Sequence, residues 1–449
     1  MASLNLLRSI WRAAAVAVTA RALTVALGIS CTVLLSRSLP AEELAMYWLA
    51  VSAVGLVVLV AQSGVGQVSI SQVSQALARH DKPQARRVIS NALGAVGVAG
   101  VVTAAASALV LSSGVGLGHR DLSLSTLLFV VIGGGLCPIA MQLVDNLRAQ
   151  HRLKTAAWLA SQPASGGVLP GFVMFVGLVI VSGLPSLRER AQLFVYASFL
   201  LGWLLLVSLC TVILSRHEML LPRASDLSVT AMRTLLAASG PVIGSALAMF
   251  VITQADLWFV NFYLGANETA AYGLAATLVK YVSAVNVLLG ALIPGVVGQL
   301  WAQGERLQLA ALLVRLARLG ALSAGVVLLA IFLFGQQLLV AVVGPAYETA
   351  WMPLVCLAVG YVVNAVLGYS QVVLVTAGQF RVIGIASGAA CVANLAALAL
   401  LTPSWGMTGA AAASATGLAV YNTITCFGCI RATGIVCHAF GRITHSHDR

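Results

Sequence analysis

The chain has 449 residues, 60% of them hydrophobic and 8% charged, with 25 Lys and Arg against 13 Asp and Glu and a formal net charge of +12. A soluble domain carries about 25% charged residues, so a water-facing globule of this size is excluded, and the hydrophobicity also excludes disorder. A basic balance often signals nucleic acid, but a mean hydropathy of +0.98 points to a membrane protein, and no nucleic-acid partner is expected.

A helix needs about 20 mainly apolar residues to cross a bilayer. The first such run, 14–36, follows Arg8 and Arg12 and contains Arg21; it outruns a signal-peptide core, has no A-x-A-like site, and reads as a retained span. Runs at 44–65 and 88–112 follow, separated by a loop with Arg79, Lys82, Arg86 and Arg87. The fourth, 124–146, carries Gly133, Gly134, Gly135 and Pro138, which predict a bend, and Asp145 near its end. The fifth, 156–182, is interrupted by Pro163, Gly166, Gly167, Pro170 and Gly171, and the sixth is 191–214. The longest polar stretch, Ser215–Arg233, precedes six more runs. These are 236–262 with Pro241 and Asp256, 271–299 with Lys280 and Pro294, 310–341, 349–376 with Pro353, 382–402 and 407–430. No segment alternates with the period of a membrane β-barrel strand. The sequence thus predicts an all-α polytopic membrane protein of twelve transmembrane helices. Residues 1–214 form one six-helix lobe, 215–234 a cytoplasmic linker, 235–430 a second six-helix lobe and 431–449 a cytoplasmic tail.

Sidedness follows from the bases. With twelve spans, nineteen of the 25 Lys and Arg fall on one side and four (Arg37, Arg120, Arg188 and Arg190) on the other. The positive-inside rule then puts both termini in the cytoplasm. Arg21 and Lys280 remain within spans. An internal repeat supports two lobes. Residues 39–50, LPAEELAMYWLA, and 264–275, LGANETAAYGLA, share seven identities in twelve positions, Tyr47/Tyr272 among them, at an offset of 225. Both copies lie between the first and second spans of their half. An offset of six helices preserves orientation, so the halves read as parallel repeats around a central cavity, a transporter architecture.

Three segments resemble a known family: SRSLPAEELAMYWLAVSAVGLVVLVAQSGVG (36–66), QADLWFVNFYLGANETAAYGLAATLVKYV (254–282) and GMTGAAAASATGLAVYN (406–422). They are similar to the first external loop and second helix, the seventh-helix element and the start of the twelfth helix of Wzx-type polysaccharide flippases. These are lipid-linked oligosaccharide flippases, a branch of the multidrug/oligosaccharidyl-lipid/polysaccharide exporter superfamily. Met46 stands where that pattern usually has Gly before the tyrosine. The resemblance implies movement of an undecaprenyl-diphosphate-linked oligosaccharide from the inner to the outer leaflet of the bacterial inner membrane, for surface polysaccharide biosynthesis. It also implies H⁺ or Na⁺ coupling or the pull of polymerisation, a polysaccharide polymerase partner and contact with membrane lipids.

Ionisable residues inside spans are costly and mark functional candidates. Asp256 and Lys280 lie twelve residues to either side of Glu268. A hairpin centred there would set them at similar depth, as an ion pair or as an ion-coupling acid beside a base that meets the substrate diphosphate. Arg21 stays charged at working pH. It reads either as a bidentate phosphate ligand or as the partner of Asp145. Arg21 and Lys280 are thus the substrate-binding candidates, and Asp256 and Asp145 the ion-coupling or ion-pair candidates. No acid stands in the middle of the first six spans, which favours an anionic substrate over an organic cation. Buried polar residues such as Gln62, Gln142, Asn146, Asn261, Asn286 and Asn394 suit either a sugar path or interhelical hydrogen bonds.

Other chemistry is unsupported. No G-x-x-x-x-G-K-[ST] occurs, and the seven histidines lie in loops or tails. The one C-x-x-C, Cys426 to Cys429, lacks the second pair that a four-ligand zinc site needs, so the eight cysteines read as buried small apolar residues. No cofactor, metal or enzymatic activity is expected. Two alternatives remain open at this point: a MATE-like small-molecule antiporter, and a membrane polysaccharide polymerase or glycosyltransferase. The short external loops argue against the second.

Overall fold

The computed structural model describes residues 2–62, 64–112, 123–150, 152–159, 167–216, 221–283, 293 and 296–441. Among the described residues the regular elements are all helical. In chain order they are α1 (Ala2–Ser38), α2 (Ala41–Gln62), α3 (Val65–Ala78), α4 (Lys82–Ser112), α5 (Leu124–Ala149), α6 (Leu153–Leu159), α7 (Val168–Gly183), α8 (Ala191–Arg216) and α9 (Val229–Tyr263). They continue with α10 (Ala266–Leu278), α11 (Arg306–Val342), α12 (Trp351–Leu367), α13 (Ser370–Thr376) and α14 (Phe380–Thr433). Nine helices among the described residues are long and apolar enough to cross a membrane. One of them is the 54-residue α14, which holds both of the last two predicted runs. Gly406, at φ 59° and ψ −142°, breaks it between them; only glycine adopts that backbone at little cost. The fifth run appears as α6 and the short apolar α7, with Pro163 and Gly166 outside the described residues. Asn286 and Pro294 of the eighth run also lie outside them.

Exposed surface confirms the solvent. Leu109 on α4 and Leu400 on α14 are each 72% exposed, and Val392 on α14 is 70% exposed. An apolar surface of this extent is not sustained in water and belongs against lipid.

Contacts divide the chain into two compact units, Met1–Leu247 and Ala248–Arg449. The division falls inside α9, because the linker is fastened to α4 in the first unit. Ser90 Oγ accepts from Arg223 N (2.8 Å), Asn91 Oδ1 accepts from Ser228 N (2.7 Å) and Asn91 Nδ2 donates to Asp226 O (3.1 Å). Leu235 at the start of α9 then packs on Ala61, Val65, Ala92 and Val96.

In the first unit α2 is the central helix, packed on α4 and α5. Glu42 and Glu43 in its first turn suit the positive end of the helix dipole. The predicted bend at Gly133–Gly135 and Pro138 does not interrupt the helix: α5 is continuous from Leu124 to Ala149. Pro138 has no N–H for the Gly134 carbonyl, and that carbonyl faces Gly100 of α4, where an added Cβ would stand 3.1 Å away. The small residue on α4 leaves room for the freed group. Tyr47 stacks on Tyr196, which stacks on Phe129 at a centroid distance of 4.2 Å.

In the second unit α12 packs on α11 and α14, and α10 packs on α12. α12 stops at Gly368, whose φ of 76° turns the chain into α13. Pro353 lies in the first turn of α12, where its missing N–H breaks no intrahelical bond.

Candidate functional site

The α9–α10 hairpin sets the depth of the acid in the second unit. Leu264 N and Gly265 N both donate to Val260 O, Gly265 turns the chain at φ 106°, and Thr269 Oγ1 donates back to Gly265 O at 2.6 Å. The turn is therefore centred at Leu264–Gly265, and Glu268 lies in the first turn of α10. This corrects the expectation from sequence, which centred the hairpin on Glu268. Asp256 stands eight residues before Leu264 and Tyr272 eight residues after it. The residue opposite Asp256 is thus Tyr272, and Lys280 sits about 12 Å further along.

Asp256 is 3% exposed. Its Oδ2 accepts from Tyr272 Oη (2.6 Å) and from Ser414 Oγ (2.8 Å) of α14, and its Oδ1 accepts from Leu257 N (2.8 Å). Lys280, half-buried in the short 3₁₀ segment Val279–Ser283, is near enough for its charge to act on the carboxyl group. Tyr361 of α12 is within electrostatic reach as well. Beside Ser414, the Ala413 carbonyl accepts from Asn394 Nδ2 (3.2 Å), while Asn394 Oδ1 is buried with no hydrogen-bond partner among the described residues. The site is therefore an acid held by two hydroxyls, with a base and an unused amide oxygen in the same unit. A carboxyl group so placed can hold and release a proton or a small cation.

Sequence reading missed Tyr272 and Ser414 as partners. Tyr272 carried a signal, because it is the repeat counterpart of Tyr47. The two copies do different work: Tyr47 Oη meets Met174 Sδ at 3.7 Å, while Tyr272 holds Asp256. The residue sixteen before Tyr47, matching Asp256, is Cys31. Ser414 lies in an Ala-rich run and carried no signal.

In the first unit Asp145 is paired on its own helix. Arg148 Nη1 donates to Oδ1 at 2.7 Å, and Gln62 Nε2 at the end of α2 donates to Oδ2 at 3.0 Å. A base three residues along the same helix reaches the carboxylate without crossing to α1, where the sequence alone offers Arg21 as the partner. Gly66 in the first turn of α3 leaves the space Asp145 occupies: a Cβ there would collide with Oδ2. Gln142 Nε2 donates to Ser69 Oγ of α3 (3.1 Å) and to Asn146 Oδ1 on its own helix (3.4 Å), so Gln142 joins α5 to α3. Arg21 is half-buried on α1, beside buried Ala20 and Thr24. Among the described residues no group of three or more His, Cys, Asp or Glu is arranged to hold a metal ion.

Comparison with known proteins places this geometry. The family model described as "Polysaccharide biosynthesis protein" matches residues 10–297. No curated protein sequence matches the chain at a significant level. Among solved structures, an inward-facing multidrug resistance MATE family transporter of the MOP superfamily superposes with a TM-score of 0.73 at 16% identity, over 94% of this chain and 98% of that one. The lipid II flippase MurJ in an inward closed conformation gives a TM-score of 0.70 at 12% identity, covering 91% and 86%. A MOP superfamily transporter from Pyrococcus furiosus, described as having a binding pocket of reversed polarity and a different function, gives 0.58 at 13%, covering 94% of each chain. At these identities the likeness is one of fold.

Proposed function

The chain belongs to the polysaccharide biosynthesis protein family and has the fold of the MOP-superfamily transporters, and from that premise we propose that it flips an undecaprenyl-diphosphate-linked oligosaccharide from the inner to the outer leaflet of the bacterial inner membrane by alternating access, for surface polysaccharide biosynthesis. The observation that carries this reading is the family match over residues 10–297, which takes in α1 through α10. Both termini lie in the cytoplasm, consistent with the nineteen bases on that face. Residues 1–214 and 235–430 act as the two lobes, joined by 215–234, with 431–449 as a tail. Arg21 and Lys280 bind the substrate diphosphate. Asp256, held by Tyr272 and Ser414, is the coupling group for H⁺ or Na⁺, and the Asp145–Arg148 pair is structural. A polysaccharide polymerase takes up the delivered substrate.

Deleting the gene should abolish surface polysaccharide while lipid-linked repeat units persist on the cytoplasmic leaflet, and the wild-type gene should restore export. Normal polysaccharide in the deletion strain would overturn the reading. The fold shared with a multidrug MATE transporter favours a second reading, a small-molecule antiporter. The same strain decides it, since that reading requires cationic dyes to accumulate while polysaccharide stays normal.

A further inference from the structure

The chain leaves α14 through Gly434, in the left-handed conformation at φ 72°, and residues 435–441 fold back as a strap. Ala439 N donates to Val366 O at 2.8 Å. That carbonyl lies in the last turn of α12, among those a helix end leaves without an internal donor. Arg318 of α11 donates from Nε to Ala439 O and from Nη2 to Gly441 O, both at 2.9 Å. The Cys437 carbonyl lies so close on Gly368 that no Cβ could be placed there. The strap therefore covers the break between α12 and α13. Its apolar residues Ile435 and Cys437 enter one core with Leu309, Leu313, Val373 and Leu374.

Three thiols meet under the strap. Cys437 Sγ stands 3.0 Å from Ser370 Oγ and shares one buried core with Cys429, and the thiols of Cys426 and Cys429 are near enough to interact with it. Cys429 Sγ in turn donates to Ile435 O, on the strap, at 3.7 Å. All three are buried and reduced. Cys426 and Cys429 are fixed one turn apart on α14, whereas Cys437 belongs to the strap and can turn toward either.

We propose that Cys437 is a site of reversible oxidation, forming a disulfide with Cys429 or Cys426 that fastens the strap over the break in the tenth span. The oxidant is a low-molecular-weight disulfide such as glutathione disulfide. One protein thiolate attacks it and releases one thiol, leaving a mixed disulfide; the second protein thiolate displaces the other small thiol. Two protein thiols lose two electrons, the small disulfide gains them, and the two protons pass to the released thiolates. Because the thiols are buried, the exchange requires the strap to lift, so its rate reports opening at this end of the unit. Arg318 sets that rate through its two bonds.

The test uses the purified full-length chain in detergent, with free thiols counted by maleimide-polyethylene glycol adducts after denaturation. The reduced chain, with its eight cysteines, gives eight adducts. After glutathione disulfide it should give six, with a Cys437 cross-link in the peptide map, while C437S stays at seven before and after. In R318A the two thiols should be lost roughly three- to tenfold faster, as expected for loss of charge-assisted bonds at an exposed site. Wild type that keeps eight adducts where the denatured chain is oxidised, wild type that stops at seven through a lasting mixed disulfide, or C437S that also loses two would each overturn the proposal.

Discussion

Removing the Tyr272 hydroxyl tests the acid site directly. In Tyr272→Phe the ring remains to fill its buried position, and Asp256 Oδ2 keeps only the 2.8 Å bond from Ser414. Hydrogen bonds to charged groups are worth about 1.5–3 kcal/mol net, and at 3% exposure water cannot replace the missing donor. The expected cost is therefore about 2 kcal/mol, or about 4–8 °C in melting temperature for a unit of about 200 residues. Ser414→Ala should cost slightly less, its bond being longer. Both hydroxyls serve one oxygen, so the double variant should exceed the sum of the singles by about 1 kcal/mol. Melting in detergent can be followed with a thiol-reactive fluorophore, because all eight cysteines are free and six are buried. If Tyr272→Phe melts within about 1 °C of wild type and the pair is additive, the two hydroxyls do not hold the carboxyl group and the reasoning fails.

Three further outcomes follow from the same geometry. Asp256→Asn and Lys280→Gln each remove one side of the electrostatic contact between the acid and the base; each should lower the amount of folded protein in membranes more than the double variant does, and a double variant worse than both singles would refute electrostatic coupling. Gly66→Ala should destabilise by about 1–3 kcal/mol through collision with Asp145, and adding Asp145→Ala should recover part of that in the melting assay; no recovery would place the strain elsewhere. Arg21→Ala should reduce surface polysaccharide far more than it reduces membrane protein level, whereas equal loss of both would assign Arg21 a structural role.

The sequence by itself determined the solvent, the fold class and the helical runs. These are sums over neighbouring residues: 8% charge and twelve apolar runs leave a lipid-embedded helical protein as the arrangement that satisfies the backbone. It also carried the repeat, whose tyrosines and acidic residues lie close enough along the chain to align. Tertiary structure decided which groups meet. Ser414 reaches Asp256 across 158 residues, a contact no spacing rule contains. The hairpin turns at Gly265 instead of Glu268, because a glycine that adopts φ 106° costs less to turn than an acid that suits a helix start. Pro138 does not interrupt its helix, and Gly100 on a neighbouring helix leaves room for the carbonyl it frees. Cys437 joins Cys426 and Cys429 only because the chain reverses at Gly434. Local composition fixes where helices form, while the partners of a buried polar group depend on packing between segments distant in the chain.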